Sequence, residues 1–134
     1  MNRTNSLLGR TAGSLAAAFA LTLSLGALAG EVAYSKAAFD IAVAAGQPVI
    51  VDFQASWCPT CKAQKPIVDA LLAEPRRKGV TLFAADYDTE ASLKKQLRVA
   101  QQSTFVVFKG GKEVGRSTGQ TDRAQIAELF DKAL

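Results

Sequence analysis

Two cysteines separated by two residues, Cys58 and Cys61, are the only cysteines of the 134-residue chain. They follow an apolar, β-branched run over residues 48–53, which predicts a central strand covered on both faces. After them, apolar residues recur at helical spacing, so a helix is expected to open at the cysteines and to end before Pro75. The pair is thus predicted at the junction between a buried strand and a helix, which requires an α/β layer structure.

This junction gives the two cysteines different chemistry. On the first turn of a helix their sulfur atoms lie close enough to form a disulfide, while Cys58 is expected at the solvent-facing helix end. Unpaired N–H groups and the positive end of the helix dipole stabilise a thiolate at that position. We therefore expect Cys58 to act as the nucleophile and Cys61, one turn deeper, as the resolving thiol.

Two other uses of such a pair are a zinc site and a structural disulfide. A structural zinc ion takes four Cys or His ligands, and the chain contains two cysteines and no histidine. A structural disulfide that closes so short a loop would remove little chain entropy. The redox interpretation is therefore favoured, and no metal site is predicted.

The rest of the chain after residue 29 alternates between strand and helix patterns. Ser35 and Asp122 are expected to cap the first and last helices, and Gly110 and Gly111 to form the turn of a hairpin. The predicted order is α-β-α-β-α-β-β-α, which implies a central mixed β-sheet with helices on both faces. The remaining predicted elements are strands over residues 80–86, 104–108 and 113–118 and a helix over residues 89–97.

Residues 1–29 are typical of a cleavable signal peptide. Arg3 and Arg10 supply a positive start, and an uncharged Leu- and Ala-rich stretch follows. Small residues at Ala27 and Ala29 predict cleavage after Ala29, which leaves a domain over residues 30–134. The alternative is an uncleaved anchor, but the apolar stretch is shorter than the ~20 residues that a membrane span needs. A periplasmic or otherwise exported protein is therefore expected.

The charge balance argues against a nucleic-acid partner. Of the 16 basic residues two belong to the leader, so only a small excess over the 12 acidic residues remains. Binding to nucleic acid would need basic residues concentrated on one face. The one local excess, residues 76–78, is expected to be a solvated loop.

The chain resembles the thioredoxin family from about residue 34 to residue 134. The resemblance implies a thioredoxin-like fold and protein-disulfide oxidoreductase activity without a cofactor. The matching segments are Val51-Asp52-Phe53, the Trp57-Cys58-x-x-Cys61-Lys62 turn, Pro66, residues 103–111 of the hairpin, and Gly119.

The resemblance also implies roles for individual residues. Asp52 would act through water as acid and base toward Cys61, and a carboxyl within an apolar strand is independently expected to titrate abnormally. The backbone around Gln102 and Ser103 would pair with an extended substrate segment. The substrate groove would be framed by Trp57, Pro59, Thr60, Gln102, Ser103 and Gly119.

Four departures from the family pattern affect this site. Gln54 replaces a second tryptophan, and Ala84 replaces the lysine that many bacterial thioredoxins have near the carboxylate. Thr60 is expected to add donors near Cys58, and Ser103, in place of the cis-proline, to add a hydroxyl. If the Ser103 side chain faces the cysteines, these donors predict a lower Cys58 pKa and a less negative reduction potential, with a return to a lower potential on Ser103→Pro. A cis bond without proline is costly, so the peptide before Ser103 is expected to be trans.

The most favoured function is that of an exported reductase of protein disulfides, expected as a monomer. A reductase in a cell envelope would receive electrons from a membrane donor. A disulfide-forming oxidase, a protein that shares a metal or an iron-sulfur cluster between two chains, and a chaperone-like binding module are the alternatives. The reductase is preferred because the chain lacks the inserted helical domain that is typical of dedicated oxidases.

Overall fold

The computed structural model describes residues 30–134, so the predicted signal peptide over residues 1–29 lies outside the described residues. Five strands form one mixed sheet in the order β1-β3-β2-β4-β5, in which β1, β3 and β2 are parallel and β4 and β5 run antiparallel. The elements are β1 Gly30–Ala33, α1 Lys36–Ala44, β2 Val49–Gln54, α2 Pro59–Leu72, β3 Thr81–Asp86, α3 Ala91–Leu97, β4 Thr104–Lys109, β5 Lys112–Thr118 and α4 Arg123–Asp131.

The helix ends follow the predicted capping residues. Ser35 caps α1 by accepting a hydrogen bond from the Ala38 N–H, and Asp122 caps α4 by accepting one from the Gln125 N–H. Helix α2 passes through Pro66 and ends before Pro75, where a short 3-10 turn begins. The positions of these helices confirm the prediction, with boundary differences of one to two residues.

Two apolar clusters cover the two faces of the sheet. One face packs against α1 and α3, the other against α2 and α4. Strand β2 contributes Val49, Val51 and Phe53 to the first cluster and Ile50 to the second, as the alternation of a strand requires. Asp52 shares the alternation of Ile50 and therefore lies on the α2 side of the central strand. The mixed sheet with helices on both faces confirms the predicted α/β fold.

Two features differ from the prediction. Strand β1 was not predicted, because a four-residue strand at the sheet edge carries little pattern of its own. Within the run 76–78, which was predicted as a solvated loop, Arg77 is only 2% exposed and forms ion pairs with Glu74 and Asp131. The prediction was wrong for Arg77, since its charge is neutralised by Glu74 at the start of the same turn and by Asp131 of α4. Within residues 30–134 every helix is too short or too polar to cross a membrane.

Candidate active site

Cys58 and Cys61 form a disulfide at the start of α2, with their Cα atoms 5.3 Å apart. Cys58 is the N-cap residue, and its Sγ accepts a 3.0 Å hydrogen bond from the Cys61 N–H. Both side chains are buried, with 1% of Cys58 and 8% of Cys61 exposed. The expected solvent exposure of Cys58 is therefore wrong for this oxidised state, because the loop that carries Ser103 packs against it.

Ser103 contacts both sulfur atoms. Its Oγ lies 3.0 Å from Cys58 Sγ and 3.2 Å from Cys61 Sγ. The side chain faces the disulfide, which is the condition on which the expected hydroxyl donor depended. Thr60, the other expected donor, forms no hydrogen bond to Cys58 within residues 30–134, and the N–H that reaches this sulfur is that of Cys61. Cys58 Sγ therefore has one side-chain donor, the Ser103 hydroxyl, and one backbone donor, the Cys61 N–H.

The backbone of Ser103 is held by three neighbours. Its N–H donates to the Phe53 carbonyl at 2.7 Å, and its carbonyl accepts from the Gly119 N–H at 2.9 Å and from Gln64 Nε2 at 3.4 Å. Residues 30–134 contain no cis peptide bond, so the bond before Ser103 is trans, and Ser103 has φ 58°. A non-glycine residue at such a φ is uncommon, and the surrounding hydrogen bonds maintain it.

These contacts revise two sequence-based expectations. The N–H and carbonyl of Ser103 are already used inside the protein, so Gln102 is the residue of this pair whose backbone remains for an extended substrate segment. Proline at position 103 would remove the N–H donated to Phe53 and would require φ near −65° instead of 58°. Ser103→Pro would therefore rearrange the loop, and it is not a clean test of the hydroxyl.

Asp52 is a buried carboxyl on the α2 side of β2, with 6% of its surface exposed. Its pKa is raised from 3.8 to about 7, chiefly by burial and further by the nearby Glu31 carboxylate, while the Lys65 ammonium opposes the rise. Its Oδ1 is buried and has no hydrogen-bond partner within residues 30–134. Asp52 is therefore chemically suited to gain and lose a proton near neutral pH.

The neighbours of Asp52 come from three other elements. Ala84 of β3 is the residue paired with Asp52 in the sheet, and with Lys65 of α2 it lines a cleft of about 480 Å³ that reaches Cys61. Lys65 Nζ donates to Glu31 Oε2 at 3.1 Å and also to Asp69. The ammonium that Ala84 does not provide is thus supplied by Lys65, which the sequence analysis missed.

The other predicted groove residues surround the disulfide to different extents. Trp57 is 54% exposed, and its Nε1 donates to Asp88 Oδ2 at 2.8 Å. Pro59 and Gly119 are exposed, whereas Thr60 and Gln102 are half-buried. Trp57 and Pro59 adjoin Cys58 in sequence, and the Gly119 N–H donates a hydrogen bond to the Ser103 carbonyl. The arrangement is an exposed rim around a buried disulfide.

Sequence analysis also missed Gln64, which lies one turn after Cys61 on α2. It is 1% exposed, and its Nε2 donates to the carbonyls of Gln120 and Ser103. A polar residue on the buried face of an apolar helix was the signal that could have identified it. Within residues 30–134, no three Asp, Glu, Cys or His side chains cluster as metal ligands would.

Comparison with known proteins agrees with this geometry. Residues 31–132 match the family model for thioredoxin. The chain is 38% identical over 84 residues to the thioredoxin of Chlamydia trachomatis, an alignment that covers 63% of this chain and 80% of that protein.

Two solved structures are similar to the described domain. Trxlp from Edwardsiella tarda EIB202 has a TM-score of 0.73 and 39% identity, covering 76% of this chain and 98% of that chain. The Malassezia sympodialis thioredoxin Mala s 13, at 23% identity and a TM-score of 0.69, covers 79% of this chain and 92% of its own and supports the fold alone. With its cysteine pair joined at the start of α2, the chain belongs to the thioredoxin family of protein-disulfide oxidoreductases.

Proposed function

We propose that the protein is an exported reductase of protein disulfides that uses Cys58 and Cys61 for dithiol–disulfide exchange. The observation that carries this proposal is the disulfide at the start of α2, where Cys58 Sγ accepts the Cys61 N–H. A thiolate at this position would be stabilised by the same N–H and by the helix dipole. Cys58 is therefore the attacking residue and Cys61 the resolving one.

The first half of the reaction forms a mixed disulfide. In the reduced protein, the Cys58 thiolate attacks one sulfur of a substrate disulfide, the substrate S–S bond breaks, and the departing substrate thiolate takes up a proton from solvent. Backbone groups of Gln102 would pair with the substrate chain, and Trp57 would flank it. Cys58 is 1% exposed in the oxidised form, and Trp57 beside it is 54% exposed, so the substrate would approach along the rim to which Trp57 belongs.

The second half releases the substrate. Asp52 accepts the proton of the Cys61 thiol, and the resulting thiolate attacks Cys58 Sγ, which forms the Cys58–Cys61 bond and breaks the mixed disulfide. The second substrate sulfur leaves as a thiolate and is protonated. The protein dithiol loses two electrons and the substrate disulfide gains them. A pKa of about 7 suits Asp52 to this transfer, because its carboxylate form is then available near neutral pH.

The proposals of export and of a membrane electron donor depend on the sequence of residues 1–29. The positive start, the apolar stretch and the small residues before position 30 support cleavage after Ala29. A reductase outside the cytoplasm would need a membrane partner that reduces the Cys58–Cys61 disulfide after each cycle. N-terminal sequencing of the protein from its native host is expected to give Gly30 as the first residue, and a retained leader would contradict cleavage.

Reduction of insulin by dithiothreitol tests the activity. The mature protein should accelerate this reduction, Cys58→Ser should abolish the acceleration, and Cys61→Ser should retain slow reactivity and accumulate mixed disulfides. Substrates trapped by Cys61→Ser in the host would identify the physiological partners. Full cellular function of both cysteine variants would contradict the proposal and favour a binding module.

A second candidate, a disulfide-forming oxidase, is favoured by the contact between Ser103 Oγ and Cys58 Sγ at 3.0 Å. A hydroxyl that donates to a thiolate stabilises the reduced form and makes the disulfide more oxidising. The redox state in the host distinguishes the two functions. Thiol trapping should find the cysteines mostly reduced for a reductase, whereas a mostly oxidised pair would indicate the oxidase.

A further inference from the structure

Gln64 links the helix that carries the cysteines to the two loops that face them. It lies three residues after Cys61 on α2 and is 1% exposed. Its Nε2 donates to the Gln120 carbonyl at 2.9 Å and to the Ser103 carbonyl at 3.4 Å. One side-chain amide thus connects the resolving cysteine's helix to the loop before β4 and the loop after β5.

Ser103, whose carbonyl accepts from Gln64, is also the residue whose hydroxyl contacts both sulfur atoms. Ser103 has φ 58°, a conformation that serine adopts at a cost, so its neighbours must maintain it. The Phe53 carbonyl and the Gly119 N–H hold it within the sheet, and Gln64 holds it from the helix. The position of the Ser103 hydroxyl therefore depends on a donor that comes from α2.

The other end of the Gln64 amide indicates that this link has a purpose beyond packing. Its Oε1 is buried and has no hydrogen-bond partner within residues 30–134. A buried acceptor without a partner costs free energy, which an apolar residue of the same volume at this position would avoid. The Gln64 amide therefore contributes through its Nε2 donor, which bonds the carbonyls of Ser103 and Gln120.

We propose that Gln64 is a positioning residue that sets the reduction potential of the Cys58–Cys61 pair by holding the Ser103 hydroxyl against the two sulfur atoms. The inference rests on the thiol–disulfide exchange proposed above. It does not depend on whether the protein acts as a reductase or as an oxidase. In the reduced protein the held hydroxyl donates to the Cys58 thiolate and stabilises the dithiol form.

The test is a double-mutant cycle on the equilibrium with glutathione. In this equilibrium two glutathione thiols reduce the Cys58–Cys61 disulfide and leave as one oxidised glutathione, so two electrons and two protons move to the protein. Gln64→Met, which keeps the volume and removes the donor, should lower the constant for protein reduction about 3- to 10-fold. In a Ser103→Ala background the same substitution should change it by less than about twofold.

A purely structural role would give another result. A substitution that destabilises the oxidised and reduced forms equally leaves this equilibrium unchanged, even when the protein unfolds more readily. Thr81→Val is the matched control, since Thr81 is a buried polar residue of β3 away from the cysteines, and it should leave the glutathione equilibrium unchanged. Gln64→Leu, which also removes the donor, serves as the second variant and should shift the equilibrium in the same direction.

Two outcomes would overturn the inference. One is an unchanged equilibrium in both Gln64 variants, and the other is an equal change with and without the Ser103 hydroxyl. Failure of the proposed function appears separately, as loss of insulin reduction by the unmodified protein or as cysteine variants that retain full cellular function. A shift confined to backgrounds that contain Ser103 would confirm the positioning role.

Discussion

The Oγ of Ser103 lies 3.0 Å from the Sγ of Cys58, within hydrogen-bond distance of the sulfur atom that we propose to be the attacking thiolate of the reduced pair. A proline at this position would present only carbon atoms to the sulfur. The contact therefore couples one substitution in the loop before β4 to the stability of the thiolate. The contact predicts that the reduction potential of the Cys58–Cys61 pair is less negative than that of thioredoxin, which is about −270 mV. It also predicts a Cys58 pKa below about 7.

Ser103→Ala should reverse this effect without the change in backbone that proline demands. Loss of a hydrogen bond to a charged group should make the potential about 30 to 60 mV more negative and raise the Cys58 pKa. Equilibration with glutathione and the pH dependence of thiol alkylation measure the two quantities. A potential that stays the same in Ser103→Ala would show that the hydroxyl does not stabilise the thiolate.

Asp52→Asn should slow the resolution of the mixed disulfide more than the initial attack. The pKa of Asp52 is about 7, so the carboxylate that accepts the Cys61 proton becomes available as the pH rises through this value. Stopped-flow resolution rates should rise over about pH 6 to 9 in the unmodified protein and lose this component in the variant. Identical pH profiles would remove Asp52 from the mechanism.

The same carboxyl should make folding stability depend on pH. Its pKa is raised in the folded protein, from 3.8 to about 7, so the folded state favours the protonated form. Stability is therefore greatest below the pKa of the unfolded chain and is lost as the pH rises toward 7, by about 4 kcal/mol. Asp52→Asn should remove this loss of stability, which urea unfolding at several pH values would measure. If the variant were no more stable than the unmodified protein at about pH 8, the raised Asp52 pKa would be contradicted.

Arg77 and Arg76 form a matched pair for testing the buried ion network between the end of α2 and α4. Arg77 is 2% exposed and pairs with Glu74 and Asp131, whereas Arg76, 58% exposed, pairs with Asp131 alone. Arg77→Met should cost about 1.5 to 3 kcal/mol of unfolding free energy, because Glu74 and Asp131 lose the buried partner that they share and keep only the exposed Arg123 and Arg76. Arg76→Met should cost less than about 1 kcal/mol, and equal effects in urea unfolding would contradict the network.

Local patterns account for what could be predicted. The cysteine pair, the Ser35 and Asp122 caps and the hairpin turn each depend on residues within one short segment, where spacing and turn chemistry are decisive. The contacts that were missed join distant segments. Arg77 meets Asp131 across 54 positions and Lys65 meets Glu31 across 34, and no local pattern reveals such pairs.

The backbone of Ser103 was missed for a related reason. Its trans peptide was predicted from the cost of a cis bond without proline. Its φ of 58° depends on donors and acceptors of β2, α2 and the loop after β5, which the sequence of the loop does not specify. The sequence therefore predicts a hydroxyl in place of proline and a trans peptide before it. The backbone conformation that points this hydroxyl at the sulfur atoms could not be predicted.

Lys65→Met and Glu31→Gln should move the Asp52 pKa in opposite directions. The Lys65 ammonium favours the charged carboxylate, so its removal should raise the pKa, and the Glu31 carboxylate disfavours it, so neutralising Glu31 should lower the pKa. NMR titration of the Asp52 side-chain carboxyl measures both shifts, and Lys62→Met, a second lysine of the same cleft, is the control that should have little effect. Because the midpoint of the resolution rate follows this pKa, the kinetic profile should shift up in pH for Lys65→Met and down for Glu31→Gln. Shifts of the same sign in both variants would show that the cleft acts on Asp52 through hydration rather than through these two charges.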